Sequence, residues 1–113
     1  MKILQRFDVS VEYPVYFTRD VFGSNNEVLH EAAGRTESGA VFVDSGVVLS
    51  RPHILDDIQL WIRMSGRRPD EWPVLTIDGG EECKNNLMLI HRVSQSIVRY
   101  GLDHSSRVLV IGG

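Results

Sequence analysis

The sequence predicts an α/β fold, and three observations support that prediction. Nearly continuous apolar runs occur at 40–43, 74–77 and 107–111, as in strands that are covered on both faces. Segments with helical spacing of apolar residues separate these runs, which gives the order strand, helix, strand, helix, strand. The 113 residues, 42% of them hydrophobic, suffice for one domain with its own core. We therefore expect a Rossmann-like, partly parallel sheet flanked by helices.

The N-terminal region is predicted to form an antiparallel strand pair that precedes the parallel unit. Apolar residues alternate in the first of these strands, 2–11, at Ile3, Phe7 and Val9. The second strand covers 14–18, and Pro14 favours a turn between the two.

A first helix is predicted after the stretch 24–27, which has the spacing of a capping box with Phe22 near the staple position. Gly34 is expected to end this helix, because glycine tolerates the left-handed conformation that follows many helices. Its inner face is predicted to consist of Val28, Leu29 and Ala32.

The strand at 40–43 ends at Asp44, and the polar residues after it are predicted to form a loop. A helix should follow from about Pro52 to Ser65, closed by the turn 66–69. The residues on its apolar face are Ile54, Ile58, Trp61 and Ile62.

The strand at 74–77 leads into a polar loop at 78–84, and Asn85 is a suitable N-cap for the next helix. That helix should end at Gly101, with Leu102 making the hydrophobic contact that often follows such an end. Its apolar residues at helical spacing are Leu87, Ile90, Val93, Ile97 and Val98.

Composition excludes several classes of partner. The net charge is -3 and no run of Lys or Arg occurs, which argues against nucleic acid and against a membrane surface. A single cysteine, Cys83, allows no internal disulfide, and a cytoplasmic location is expected. The first residues form neither a signal peptide nor a membrane span.

Three loops are expected at the carboxyl ends of the parallel strands, where open α/β sheets bind ligands. Asp44 is placed to accept hydrogen bonds from ribose hydroxyls, although spacing alone favours a helix cap or a loop aspartate. Gly46 would allow close approach of a ligand to the backbone, and an ordinary turn explains it as well.

The other two loops contain further candidates. Glu81 could accept a hydrogen bond from a hydroxyl, and Lys84 could donate to ribose or phosphate oxygens; a solvated ion pair is the simpler interpretation. Gly112 and Gly113 match the start of a phosphate-binding turn. They are a weak signal without the complete G-x-G-x-x-G pattern.

The sequence assigns no catalytic residue and no metal ligand. Cys83 has no histidine at a recognisable spacing, and packing explains it better than nucleophilic chemistry. The four histidines are scattered and lack the spacing of metal ligands.

Three segments, 42–47, 79–85 and 108–113, together resemble the N-terminal domain of the 3-dehydroquinate synthase family of sugar-phosphate cyclases. They occur in the family's order and at similar intervals across essentially the whole chain. The G-E-x-x-K loop is the most specific element and the terminal glycines are the least. Segment 13–20 looks more like the cyclase-like branch than the shikimate-pathway enzyme.

The resemblance implies a lyase that uses NAD⁺ for a transient oxidation, eliminates phosphate from a sugar phosphate and closes a carbocycle. Zinc or cobalt assists this chemistry in the family. By similarity, Asp44 would hold the adenosine ribose, Glu81 and Lys84 would contact the ribose region, and Gly112 with Gly113 would approach the pyrophosphate. Gly46 departs from the asparagine that the family often has, which puts one cofactor contact in doubt.

The resemblance also predicts that 1–113 is an N-terminal dinucleotide-binding fragment, inactive on its own. The metal-binding and substrate-binding residues of the family would lie in a C-terminal domain beyond Gly113. A homodimer is expected, and an exposed sheet edge would favour self-association.

Two alternatives stay open. The chain could be a cofactor-free regulatory or protein-binding α/β module, with its last strand available to a partner. It could also belong to the glycerol dehydrogenase-type alcohol dehydrogenases, against which the G-E-x-x-K loop argues without deciding the matter.

Overall fold

A computed structural model describes residues 1–35, 37–78 and 87–112, without the side chain of Leu89. In chain order these residues form α1 (Val28–Ala33), β1 (Gly39–Asp44), α2 (Ser45–Ser50), α3 (Ile54–Met64), a 3₁₀ turn (Pro69–Glu71), β2 (Val74–Ile77), α4 (Leu87–Arg99) and β3 (Arg107–Ile111).

The described strands form one three-stranded sheet in the order β2-β1-β3, and both pairings are parallel. The register places Asp44 opposite Ile77 and Val43 opposite Ile111, so the strands end close to the same level. The chain is therefore a mixed α/β protein with helices flanking a parallel sheet, as predicted.

The central strand β1 is the most buried element. Residues 40–43 are all buried, because β1 has a hydrogen-bonded neighbour on each side and packing on each face. β3 is far less covered, since Val108 is 51% and Val110 is 67% exposed. The continuous apolar runs therefore predict the strands correctly but overestimate how well β3 is buried.

The core lies on the face of the sheet that carries Val41 and Val43, which cluster with the buried residues of α3. Those α3 residues are the four predicted from helical spacing, Ile54, Ile58, Trp61 and Ile62. Trp72 belongs to the same cluster; its ring meets that of Trp61 edge to face, and its indole N–H donates to the Glu37 carbonyl at 3.1 Å.

Arg67 follows α3 and packs against the rings of both tryptophans. Its guanidinium lies 4.8 Å from the Trp61 ring centre and 5.0 Å from that of Trp72, and it donates to the Gly34 carbonyl. Partial burial lowers the pKa of Arg67 through desolvation. Cation–π contacts with two rings offset part of that desolvation cost.

Glycines end both long helices in the manner predicted. Gly66 and Gly101 have φ of 78° and 64°, in the left-handed region that only glycine adopts readily. Behind them, Arg67 N–H bonds to the Ile62 carbonyl and Leu102 N–H to the Ile97 carbonyl, at 3.1 and 3.0 Å. These are the bonds of a Schellman motif. The predicted N-cap Asn85 lies outside the described residues.

The start of α1 differs from the predicted capping box. Asn26 caps the helix, because its side-chain oxygen accepts from Val28 N–H at 3.0 Å, whereas Glu27 at the N-cap position makes no such bond. The Asn26 amide also donates to the Thr18 hydroxyl at 2.8 Å, which fixes the loop before the helix.

The predicted inner face of α1 is correct at Leu29 and wrong at Ala32. Leu29 and Ala33 are buried, whereas Ala32 is exposed. The helix has only six residues, so its face is set by the angle at which it meets the core rather than by a full apolar period. The prediction that Gly34 ends the helix is correct, with φ of 66°.

The predicted N-terminal antiparallel strand pair is absent from the described residues. Residues 1–17 have no strand, and their large apolar side chains are exposed. An isolated two-stranded pair is marginal in water, and Pro14 has no N–H to donate to a ladder. Alternation alone therefore could not establish pairing.

The residues after β1 form a helix rather than the predicted loop. α2 has six residues, which is too short for an apolar period to be recognised in the sequence. Within the described ranges, no helix combines the length and apolar character that crossing a membrane requires.

Candidate functional site

The carboxyl ends of the three described strands meet at one edge of the sheet. Asp44 pairs with Ile77, so the loop that begins at Asp78 leaves β2 beside the end of β1. Ile111 pairs with Val43, so Gly112 leaves β3 at the same edge. The structure therefore brings Asp44, Asp78 and Gly112 to the edge where the sequence predicts a site.

The strand order also defines where a crevice forms at this edge. The chain passes from β1 outward to β2 through α2 and α3, then returns across β1 to β3 on its other side. The ends of β1 and β3 therefore flank the point where the winding reverses, which is where doubly wound sheets bind ligands. This point lies between Asp44 and Gly112.

Asp44 performs the structural role that spacing alone favoured. It is the N-cap of α2, and its carboxylate accepts from Gly46 N–H at 3.2 Å. The residue is partly exposed. A carboxylate has about four acceptor positions, so capping and binding of a hydroxyl are compatible.

The fold itself does not require glycine at 46 or 112. A methyl group on Gly46 would meet only the Asp44 carboxylate, at 3.5 Å or more, and one on Gly112 would meet nothing within 4 Å. Neither residue has a positive φ. Both are exposed, so a ligand could approach the backbone closely at either position.

Three predicted site residues, Glu81, Lys84 and Gly113, lie outside the described residues. Their predicted contacts with ribose and pyrophosphate stay predictions.

A cavity of about 910 Å³ opens at the carboxyl edge. Apolar and charged residues both line it. Of the predicted residues that the structure describes, Gly112 lines it, whereas Asp44 and Gly46 do not. The other residues that matter for its chemistry are Arg19, Asp20, Val47, Arg51, His53 and Asp57.

Sequence reasoning missed the cationic side chains at this cavity. Arg51 and His53 follow α2, and recognising that helix would have placed them at the carboxyl edge. Arg19 is brought there by the loop that Asn26 holds through the Arg19 carbonyl at 2.9 Å. Neither arginine forms an ion pair with a described residue.

A metal site has no support in the described parts of the chain, where no group of three His, Cys, Asp or Glu side chains is suitably placed.

The described residues form an α/β protein with a parallel sheet and a cavity at the carboxyl edge of that sheet. Comparisons with protein-family models, curated proteins and solved structures give no match.

Proposed function

We propose that this chain is the NAD⁺-binding part of a 3-dehydroquinate synthase-like sugar-phosphate cyclase, a cytoplasmic lyase that eliminates phosphate. One observation carries the proposal: β1 and β3 are adjacent and parallel, and their carboxyl ends present Asp44 and Gly112 at the reversal point of the sheet. Dinucleotides bind at that point in doubly wound sheets.

The residues at the edge suit the parts of a dinucleotide. Asp44 can accept from ribose hydroxyls while it caps α2. Gly46 and Gly112 leave room for a ligand that a side chain would fill. Arg19 and Arg51 at the cavity can neutralise phosphate charge, and Ile111 and Val47 offer apolar surface to a base.

In this proposal the chain binds and orients the cofactor and supplies no catalytic group. NAD⁺ would take up and return a hydride during the reaction of the sugar phosphate. By the resemblance, zinc or cobalt and the substrate would be held elsewhere in the parent enzyme.

Three substitutions test the cofactor site. Gly46→Ala and Gly112→Ala are expected to weaken NAD⁺ binding at least fivefold, because each methyl group occupies the space of the ligand. Asp44→Asn should weaken it about tenfold, because asparagine keeps an acceptor oxygen but loses the charge, and hydrogen bonds to a charged group exceed neutral ones by about 1–1.5 kcal/mol. Isothermal titration calorimetry of the 113-residue chain measures these changes.

The controls separate binding from folding. Asparagine is as good an N-cap as aspartate, and Gly46→Ala should stabilise α2 by up to about 1 kcal/mol. Asp56→Asn changes an exposed aspartate that does not line the cavity, so it should bind NAD⁺ like the unchanged chain. Absence of saturable binding, or equal affinity in all four variants, would contradict the proposal.

A cofactor-free protein-binding module is the second candidate. The observation that favours it is the large exposed apolar surface of residues 3–17 and of α4. Stable folding without nucleotide affinity would support this alternative.

A further inference from the structure

Asn26, just before α1, uses its side chain in two directions. Its side-chain oxygen accepts from Val28 N–H at 3.0 Å and caps the helix. Its amide nitrogen donates to the Thr18 hydroxyl at 2.8 Å, to the Arg19 carbonyl at 2.9 Å and to the Asp20 carbonyl at 3.2 Å. One side chain therefore joins the start of α1 to three successive residues of the loop before it.

The backbone of that loop is also fixed by its own contacts. Asp20 has φ of 51°, a left-handed conformation that aspartate tolerates better than most residues. Its carbonyl accepts from Gly23 N–H at 2.8 Å, and the Gly23 carbonyl accepts from Asn26 N–H at 3.0 Å. A Cβ at Gly23 would lie 2.5 Å from the Asp20 carboxylate, so a side chain there would displace it. All these bonds lie within 18–28, so this framework does not depend on how the sheet continues.

The framework forms one wall of the cavity at the carboxyl edge. Thr18, Arg19 and Phe22 all line that cavity. Phe22 also packs on the core, where its ring meets that of Trp61 edge to face at 6.5 Å between ring centres. The wall is therefore anchored to α1 by Asn26 and to the core by Phe22.

This wall and the segment after α2 supply hydrogen-bond donors to the cavity. The Thr18 hydroxyl accepts from the Asn26 amide, so its own hydrogen is available to a ligand. Arg19 and Arg51 line the cavity from separate segments, and neither forms an ion pair with a described residue. Guanidinium groups match the geometry of phosphate oxygens and bind them with charge-assisted hydrogen bonds.

The carboxylates at the cavity narrow the chemistry of the ligand. Asp20 and Asp57 line it together with the two arginines. A carboxylate repels a bare phosphate, whereas it accepts hydrogen bonds from hydroxyl groups. The mixture of charges therefore favours a diphosphate that carries sugar hydroxyls over a free oxyanion.

We infer that Asn26 is a positioning residue for an oxyanion site made by Thr18, Arg19 and Arg51, and that this site takes a diphosphate group. Asn26 does not touch the ligand. It holds the backbone of Arg19 so that this guanidinium and that of Arg51 meet the phosphates together. The assignment of the diphosphate to NAD⁺ rests on the proposed function.

Calorimetric titration of the 113-residue chain with two probes, inorganic pyrophosphate and NAD⁺, tests this inference. Asn26→Ser removes the amide donors, while the serine hydroxyl can still accept from Val28 N–H. It should weaken the binding of both probes about fivefold, because the loop loses three hydrogen bonds. Asn25→Ser makes the same change in a neighbour that does not line this cavity, and it should leave both affinities unchanged.

A double-variant cycle shows whether Asn26 acts through Arg19. Arg19→Gln should weaken pyrophosphate binding about tenfold, because a charge-assisted contact is lost. In the Arg19→Gln background, Asn26→Ser should weaken it less than about twofold further, since coupled residues are not additive. A purely structural role of Asn26 would multiply the two effects instead.

Thermal unfolding by circular dichroism checks that the variants fold. If Asn26→Ser destabilises α1, Asn26→Asp takes its place, because aspartate is as good a cap as asparagine and also lacks the amide donors. Asn25→Asp is then the control for the added charge.

The two probes separate this inference from the proposed function. Pyrophosphate binding with the expected pattern but no NAD⁺ binding would contradict the dinucleotide and support the oxyanion site. NAD⁺ binding that is unchanged in Asn26→Ser and Arg19→Gln would overturn the inference and leave the proposed function standing. Absence of pyrophosphate binding, equal weakening by Asn26→Ser and Asn25→Ser, or multiplied effects in the cycle would also overturn the inference.

Discussion

Trp72→Ala is expected to reduce the free energy of unfolding by about 3–5 kcal/mol. The indole is 1% exposed and meets Trp61 edge to face at 6.0 Å between ring centres. It also underlies the Arg67 guanidinium. Removal leaves a cavity and deprives the Glu37 carbonyl of its hydrogen bond. The free energy of unfolding of a whole domain of this size is only about 5–15 kcal/mol, so the variant should be close to unfolding.

Urea denaturation followed by far-UV circular dichroism measures this loss. Trp72→Phe is the matched control, because it keeps an aromatic ring against Trp61 and loses the indole N–H. We expect it to cost less than half as much as Trp72→Ala. Equal stability of the alanine variant and the unchanged chain would show that Trp72 is not part of the core.

Gly39→Ala is expected to destabilise the protein by about 1–3 kcal/mol through overpacking. Gly39 begins the central strand, and a methyl group there would lie 2.6 Å from the Arg107 carbonyl oxygen and 2.7 Å from the Trp72 ring. The first neighbour is backbone of β3 and the second is a buried ring, so neither can move away cheaply.

Gly112→Ala is the control for this prediction, since it adds the same methyl group near the other end of β3, where nothing lies within 4 Å. Chemical denaturation should show a loss for Gly39→Ala and almost none for Gly112→Ala. Equal stabilities would mean that β1 and β3 do not approach as closely at Gly39 as described.

The parts of the fold that the sequence predicts well are those with a full structural period. β1, β2 and β3 follow from continuous apolar runs, and α3 follows from three turns of apolar spacing that end at Gly66. In β1 and α3 local propensity and burial point to the same structure, so no knowledge of the neighbours is needed. β3 forms a strand although it is largely exposed.

The parts that the sequence does not predict depend on tertiary contacts. α2 has six residues and no buried side chain, so the sequence shows no helical period of apolar residues there. The cap made by Asp44 needs the helix that follows it. Segment 3–17 alternates like a strand, yet pairing depends on a partner that the alternation does not identify.

The same division applies to the candidate site. The convergence of Asp44 and Gly112 follows from parallel strands in register, which the apolar runs predict. The cavity with Arg19 and Arg51 does not, because a short helix and a loop held by Asn26 bring these side chains there.

The most direct test of the central claim is an NMR titration of ¹⁵N-labelled chain with NAD⁺. Because it detects weak binding residue by residue, it shows whether and where the cofactor binds. We predict saturable shifts at 44–53 and 111–112, around the carboxyl ends of β1 and β3. Shifts confined to the opposite end of the sheet, at 34, 35, 37 and 65–68, or no saturable shifts at all, would contradict the dinucleotide site.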